Sequence, residues 1–144
     1  MTVRVGFLGA GLIATYHGKS LRRSGADHVI AAVYDPDAAR AAAFAQASGA
    51  TAMPNEDAVL DAVDAVYVCT WTSEHPRLVA AAIQRGLPVF CEKPLATSLA
   101  GARAMAEAVT AAGVINGVGL VLPAASFITG AVIPVDGGLT VQNT

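Results

Sequence analysis

Charged residues are scarce in this sequence. Of its 144 residues, 14% are Asp, Glu, Lys or Arg, and nine basic against eleven acidic side chains leave a net charge of −2. The absence of a basic stripe argues against nucleic acid or anionic lipid as a partner. No window of about 18 uninterrupted apolar residues occurs, which argues against a membrane span. The first residues show no signal-peptide pattern, so we expect a cytoplasmic protein.

Cysteine is also rare. The two cysteines, Cys69 and Cys91, both lie in apolar runs, so we predict small core residues rather than a disulfide or a metal site. Apolar residues make up 54% of the chain. This composition excludes disorder, and the length is close to the commonest size of a single domain with one core.

Short apolar runs alternate with stretches of helical periodicity. The predicted strands span residues 3–8, 28–34, 65–70 and 88–91, and 114–122 can form a further one. The predicted helices span residues 12–24, 36–48, 56–62, 74–85 and 98–112. In the first helix the spacing places Leu12, Ile13, Tyr16 and Leu21 on one side, and Ser98 and Gly113 are the expected caps of the last one. Such alternation predicts an α/β fold with a doubly wound, mainly parallel sheet and helices on both faces.

The first strand leads into Gly9-Ala10-Gly11-Leu12-Ile13-Ala14, a G-x-G-x-x-A pattern. Gly9 permits a tight turn, Gly11 lets the backbone approach a pyrophosphate, and Ala14 lets the helix pack closely on the sheet. The N-terminus of that helix offers N–H groups to phosphates. Asp35 ends the second strand, 24 residues beyond Gly11. Its carboxylate can accept hydrogen bonds from a ribose diol and repels a 2′-phosphate, so a Rossmann-type domain that prefers NAD to NADP is predicted. The alternative is an ordinary glycine turn with a helix-capping Asp.

Two further segments follow predicted strands. The segment Thr70-Trp71-Thr72-Ser73-Glu74-His75 comes after the third strand, and Glu92-Lys93-Pro94 comes after the fourth. In a parallel sheet both lie at the carboxyl edge, where ligands bind. A desolvated Lys there can exchange a proton with a substrate hydroxyl. Trp71 either lines the cofactor cleft or caps the core, and His75 either packs against the loop or contacts the cofactor.

These motifs, together with His17, resemble the nucleotide-binding domain of the Gfo/Idh/MocA (glucose–fructose oxidoreductase / inositol dehydrogenase) family over residues 1–122. The resemblance implies that Lys93 contacts nicotinamide and substrate and that the bond from Lys93 to Pro94 is cis. It also implies oxidation of a hydroxyl of a sugar, inositol or related polyol by hydride transfer to NAD(P). Trp71 stands where relatives often have Pro, as in the inositol-dehydrogenase-like branch. His17 itself is interpreted as structural.

The last residues depart from this family. Residues 123–144 resemble the C-terminal end of short-chain dehydrogenases/reductases, with an expected edge strand at 131–135, and the substrate domain of the Gfo/Idh/MocA family is expected to be absent. The Tyr-x-x-x-Lys pair of short-chain dehydrogenases is missing from the sequence. Three functions therefore stay open. They are a polyol oxidoreductase, a catalytically silent dinucleotide-binding module or chimeric fragment, and a chain whose substrate cleft comes from a partner, which includes a homo-oligomer.

The predicted site has one catalytic residue, Lys93, and no metal. The predicted cofactor-binding set is Gly9, Gly11, Leu12, Ile13, Asp35, Thr70, Trp71, His75, Glu92, Lys93 and Pro94.

Overall fold

A parallel six-stranded sheet organises the computed structural model, which describes residues 1–118. Its strands are β1 (Val3–Leu8), β2 (His28–Tyr34), β3 (Thr51–Ala52), β4 (Ala65–Val68), β5 (Val89–Cys91) and β6 (Asn116–Val118). The helices are α1 (Leu12–Arg23), α2 (Ala38–Ser48), α3 (Glu56–Leu60), α4 (His75–Gln84) and α5 (Leu99–Ala112). The predicted tail at 123–144, with its strand at 131–135, lies outside the described residues.

The strand order is β3-β2-β1-β4-β5-β6, and every neighbouring pair is parallel. The chain builds outward from β1 to β3, then returns to the centre and builds the other half from β4. The connection after β1 runs to one side of the sheet and the connection after β4 runs to the other. This reversal leaves a crevice between β1 and β4 at their carboxyl ends, where doubly wound proteins bind ligands. The predicted α/β Rossmann-type fold is confirmed.

The core has two halves, one on each face of the sheet. Successive side chains of a strand point to opposite faces, so the neighbours Phe7 and Leu8, both 0% exposed, belong to different halves. The half around Phe7 is covered by α1 and α2. The half around Leu8 is covered by α3, α4 and α5. This arrangement leaves the carboxyl edge of the sheet free of covering helices.

Helix α1 packs differently from the periodicity prediction. Leu12 and Tyr16 are 75% and 58% exposed, whereas the buried residues of the helix are Ala14 and Gly18. A Cβ at Gly18 would lie 3.5 Å from the ring of Phe44. Of the four apolar residues on one side, Ile13 and Leu21 pack against the core whereas Leu12 and Tyr16 face solvent. Close packing of the helix against the sheet favours small side chains at its centre.

The two ends of α5 agree with the capping prediction. The sheet also contains one short strand that was not predicted. The Ser98 hydroxyl accepts the N–H of Gly101 (3.1 Å) at the start of α5, and Gly113 ends the helix. The two-residue strand β3 was not predicted, since a segment that short has no periodicity to detect. In the described part of the chain, no helix has both the length and the apolarity that crossing a bilayer demands.

Both cysteines are buried free thiols at the ends of β4 and β5. Cys69 is 7% exposed and Cys91 is 4% exposed. Burial, with a smaller contribution from the Glu92 carboxylate, raises the pKa of Cys91 to about 12 and that of Cys69 still further. Both are small core residues, as predicted.

Candidate active site at the carboxyl edge of the sheet

The turn after β1 is built around Gly9. Its backbone has a φ of +93°, and its N–H donates to the carbonyl oxygen of Tyr34 (2.8 Å). A Cβ on this residue would lie 2.6 Å from the carbonyl oxygen of Cys69. Both the left-handed backbone and the close approach to the end of β4 require glycine here. The turn therefore brings the start of α1 directly over the crevice between β1 and β4.

The N-terminus of α1 is open and carries no side-chain cap. Gly11 is the N-cap residue. A Cβ at Gly11 would meet no atom within 4 Å. The first-turn N–H groups of a helix have no partners inside the helix, and here they face free space with the positive end of the helix dipole behind them. A pyrophosphate fits this position by charge, by hydrogen bonding and by space.

Asp35 lies on the other side of this loop and is 8% exposed. Its Oδ2 accepts the N–H of Ala10 (2.8 Å), and its Oδ1 accepts the N–H of Asp37 (2.9 Å). The Arg40 guanidinium lies 3.8 Å from Oδ1. Each carboxylate oxygen has two lone pairs, so both can still accept a hydroxyl hydrogen bond. Asp35 thus stabilises the loop of residues 9–14, which we call the phosphate loop after its proposed ligand, and presents acceptors at the end of β2.

Asp37 is the second carboxylate at this end of the sheet. It caps α2 by accepting the N–H groups of Ala39 and Arg40. These backbone hydrogen bonds and the Arg40 guanidinium, whose Nη2 lies 3.2 Å away, lower the pKa of Asp37. The Arg40 side chain is therefore held by carboxylates on its own side of the cleft.

A cleft of about 820 Å³ joins these features. Trp71 is 81% exposed and lies on the cleft wall, so its indole does not cap the core. The predicted cofactor residues that line the cleft are Gly9, Gly11, Leu12, Ile13, Asp35, Thr70 and Trp71. The remaining four, His75, Glu92, Lys93 and Pro94, lie outside this lining at the ends of β4 and β5. Ser73 and Glu74 of the segment after β4 also line it, as do Tyr34 and Glu56, which sequence reasoning did not single out.

The opposite wall of the cleft carries two carboxylates whose negative charge is partly cancelled by an arginine. Glu56 and Glu74 both accept hydrogen bonds from the Arg77 guanidinium, with shortest N···O distances of 2.7 and 2.8 Å. These hydrogen bonds raise the pKa of Arg77 above its usual value. Because the cation sits between the two carboxylates, this wall repels an anionic ligand less than its acidic residues alone would.

His75 joins the two loops at the carboxyl edge. It opens α4 and is 1% exposed. Its Nδ1 lies 3.0 Å from the carbonyl oxygen of Pro94, and its Nε2 lies 3.1 Å from that of Thr70. The ring therefore packs between the segment after β4 and the segment after β5, and holds them together.

Lys93 follows β5, and its peptide bond to Pro94 is cis, as the resemblance implies. The Lys93 side chain is exposed, and within residues 1–118 no carboxylate forms an ion pair with it. Glu92 is 4% exposed. Its Oε2 accepts the backbone N–H of Lys93 (3.0 Å), and its Oε1 accepts from Nε2 of His17 (2.5 Å). Among residues 1–118 the amine of Lys93 thus has no ion-pair partner, while its backbone N–H is held by Glu92.

The contact between His17 and Glu92 was not foreseen. Its only sequence signal is that His17 follows Ala14 of the phosphate loop by three residues, which puts it one helical turn further along α1. The partner lies 75 residues away in sequence.

Across the described ranges, no group of three His, Cys, Asp or Glu side chains is arranged to hold a metal ion.

Known proteins resemble this chain over the same region. An inositol 2-dehydrogenase of Cereibacter sphaeroides is 43% identical over 115 residues, which cover 78% of this chain and 34% of the relative. The crystal structure of an NAD-binding oxidoreductase from Klebsiella pneumoniae superimposes with a TM-score of 0.74 at 30% identity, covering 83% of this chain and 34% of that one. A WlbA dehydrogenase from Chromobacterium violaceum, solved with NADH and UDP-GlcNAcA, gives a TM-score of 0.76 at 26% identity, covering 82% and 35%.

The chain spans about a third of the length of the curated relatives it matches. A family model described as "Oxidoreductase family, NAD-binding Rossmann fold" matches residues 3–120. That range contains the phosphate loop, Asp35 and the Glu92-Lys93-Pro94 turn. The chain therefore belongs to the Gfo/Idh/MocA oxidoreductase family, of which it carries the NAD-binding Rossmann fold.

Proposed function

We propose that this chain binds NAD in the cleft between β1 and β4, as the cofactor domain of an oxidoreductase that acts on a hydroxyl of an inositol, sugar or related polyol. The observation that carries the proposal is the uncapped N-terminus of α1, where Gly11 leaves free space in front of the first-turn N–H groups. The pyrophosphate would lie against these N–H groups. The relatives named inositol 2-dehydrogenase support the substrate class.

The carboxylates after β2 favour NAD over NADP. Asp35 would accept hydrogen bonds from the adenosine ribose diol with its remaining lone pairs, and a 2′-phosphate would meet its negative charge and that of Asp37. Arg40, the cation nearest to this position, is held by both carboxylates. A 2′-phosphate would have to draw the guanidinium away from them, so NADP binds more weakly in this proposal.

Lys93 is the proposed catalytic residue. The bound nicotinamide supplies the hydride acceptor for the carbinol carbon. The amine of Lys93 takes the proton of the substrate hydroxyl as the C–H bond breaks, so that a carbonyl forms. Its freedom from ion pairs among residues 1–118 leaves the amine available to the substrate. The buried Glu92 and His75 hold the turn that carries Lys93, and Thr70 and Trp71 line the cleft beside it.

Fluorescence titration with NADH tests the binding proposal. Trp71 is the only tryptophan of the sequence and lies on the cleft wall, so bound NADH is expected to quench its emission by energy transfer. The quenching should saturate and be reversed by NAD more readily than by NADP. Flat titrations by both fluorescence and calorimetry would contradict the assignment.

A panel of inositols and sugars with NAD then tests turnover. NADH formation that Lys93→Met removes, with NADH binding retained, would support the assignment of Lys93. Lys93→Arg is the matched control, because it keeps the charge and removes the amine that exchanges a proton. Turnover that persists in Lys93→Met would rule out Lys93 as the proton acceptor.

The second candidate is a dinucleotide-binding module without turnover of its own. The observation that favours it is that, among the described residues, Gly11 and Asp35 line the cleft whereas Lys93 does not. In this case NADH binds and no substrate of the panel is oxidised. A substrate cleft completed by another copy of the chain would instead appear as a dimer in sedimentation, with turnover that depends on protein concentration.

We also infer a cytoplasmic protein with a small-molecule partner. Two buried free thiols fit a reducing compartment, and a net charge of −2 does not favour nucleic acid or anionic membranes. Fractionation of cells that express the protein would test the location.

A further inference from the structure

Helix α1 carries a histidine that the proposed function does not use. The His17 ring packs against Tyr67, with 5.5 Å between ring centroids, and edge-on against Phe90 at 4.9 Å. Tyr67 and Phe90 are themselves stacked at 4.7 Å and pair in register on β4 and β5. These contacts fix the plane of the imidazole on the sheet, so Nε2 points in a defined direction.

That direction is toward the Glu92 carboxylate. Nε2 of His17 donates to Oε1 of Glu92 at 2.5 Å, and the Glu92 side chain is 5% exposed. A carboxylate with so little access to water is costly unless it is paired and hydrogen-bonded. Within residues 1–118, His17 is the one basic side chain in contact with Glu92. The imidazole therefore determines how this carboxylate is oriented.

The other carboxylate oxygen of Glu92 is hydrogen-bonded to the backbone of Lys93. Oε2 of Glu92 accepts the backbone N–H of Lys93 at 3.0 Å, while the N–H of Glu92 donates to the carbonyl oxygen of Val68. With one oxygen on His17 and the other on the Lys93 backbone, the carboxylate fixes the turn, and within residues 1–118 neither oxygen forms an ion pair with the Lys93 amine. A rotated carboxylate could instead pair with that amine and withdraw it from a substrate.

We propose that His17 is a positioning residue for Lys93 that acts through Glu92. The importance of Lys93 in this inference rests on the proposed function. His17 lies on the same helix that presents its N-terminus to the pyrophosphate, so one rigid element would set both the phosphate end and the proton-transfer end of the site. A histidine that only filled space between Tyr67 and Phe90 would be replaceable by any flat ring.

Two substitutions separate positioning from packing. His17→Phe keeps a ring against Tyr67 and Phe90 but removes the N–H donor. His17→Gln removes the ring but keeps an N–H donor at the reach of Nε2. The readout is hydrogen exchange and the ¹H–¹⁵N signal of the Lys93 backbone amide by NMR, in the free protein, with the amide of Val66 in the sheet centre as an internal reference.

The expected result is faster exchange at Lys93 in His17→Phe, by about tenfold, the effect of losing one hydrogen bond to a charged group. His17→Gln should restore the wild-type exchange and signal, and Val66 should exchange alike in all three proteins. Wild-type behaviour of Lys93 in His17→Phe would overturn the proposal. So would a His17→Gln protein that is as perturbed at Lys93 as His17→Phe.

A double variant keeps the test decisive if His17→Phe does not fold. Glu92→Met removes both the buried charge that His17→Phe leaves unpaired and the acceptor of the Lys93 N–H, so the combination is expected to fold. If His17 acts through Glu92, adding His17→Phe to Glu92→Met changes Lys93 exchange less than twofold. A larger change would show that His17 acts by another route and would overturn the proposal. NADH titration of the wild type, run in parallel, reports separately on the proposed function, since the Lys93 amide is observed without cofactor.

Discussion

Gly11→Asp is expected to stabilise the fold while removing the cofactor site. Gly11 has φ −75° and ψ −170°, an extended conformation open to any residue, and its added Cβ meets no atom within 4 Å. Asp is among the best N-cap residues and is a few tenths of a kcal/mol better than Gly there. A carboxylate at the positive end of a helix adds about 0.3–1 kcal/mol. The free energy of unfolding should therefore rise by about 0.5–1 kcal/mol.

The same carboxylate would take the place of the pyrophosphate. It would occupy the first-turn N–H groups of α1 and put a negative charge within about 4 Å of the phosphates. At an effective dielectric constant of 20, one such pair of like charges repels by about 4 kcal/mol. Even with part of this screened by solvent, we expect NADH affinity to fall by more than about 100-fold, which corresponds to about 2.7 kcal/mol.

The assay combines urea denaturation with the titration of Trp71 fluorescence by NADH. Gly11→Ala is the matched control, because it adds bulk without charge and is a poorer N-cap than glycine. Gly11→Ala should lower the free energy of unfolding slightly and should weaken NADH binding less than Gly11→Asp does. Unchanged NADH affinity in Gly11→Asp would refute the phosphate site at α1. A loss of stability in Gly11→Asp would refute the claim that this helix end is open.

Four further predictions test the surroundings of the site. Gly9→Ala should lower the free energy of unfolding by about 2–5 kcal/mol, from strain at φ +93° and the contact with the Cys69 carbonyl; a loss under about 1 kcal/mol in urea denaturation would contradict this. Asp35→Asn keeps an acceptor for the loop but removes the charge, so NAD should bind more weakly and its advantage over NADP should narrow in calorimetry; an unchanged ratio would remove Asp35 from the cofactor site. Cys69 and Cys91 should resist iodoacetamide at pH 8 in the native protein and react in urea, because burial raises both pKa values; rapid native labelling would disprove their burial. Since burial raises the pKa of the folded Cys91 thiol to about 12 against an ordinary value of 9.0, this thiol ionises first in the unfolded chain and stability should fall from pH 9 upward, with Cys91 contributing up to about 1.4 kcal/mol per pH unit; a slope that is unchanged in Cys91→Ala would assign the fall to other groups.

Local chemistry made the loops of the candidate site predictable. Gly9 and Gly11 have roles set by backbone geometry within a few residues, and Asp35 follows from where a strand ends. Ser98 and Gly113 mark helix ends because capping involves only the next few N–H and carbonyl groups. In each case the interacting atoms are close in sequence, or the position follows from the regular alternation of strand and helix.

Features that depend on distant partners were not predictable from the sequence. The exposure of Leu12 depends on how closely α1 packs on the sheet through Ala14, and β3 exists because β2 lies beside it. Such features need the spatial neighbour, which a pattern along one segment does not contain.

The sequence by itself determined the alternation of strand and helix, the phosphate loop after β1 and the acidic residue after β2, because each depends on short-range geometry. Only the tertiary structure decided that His17, through Glu92, holds the backbone of Lys93. Residues 75 positions apart meet there because the parallel sheet brings the carboxyl end of β5 beside α1. Because a carboxylate that is removed from water is costly unless it is hydrogen-bonded, Glu92 keeps its bonds to His17 and Lys93, and this burial exists only in the folded protein.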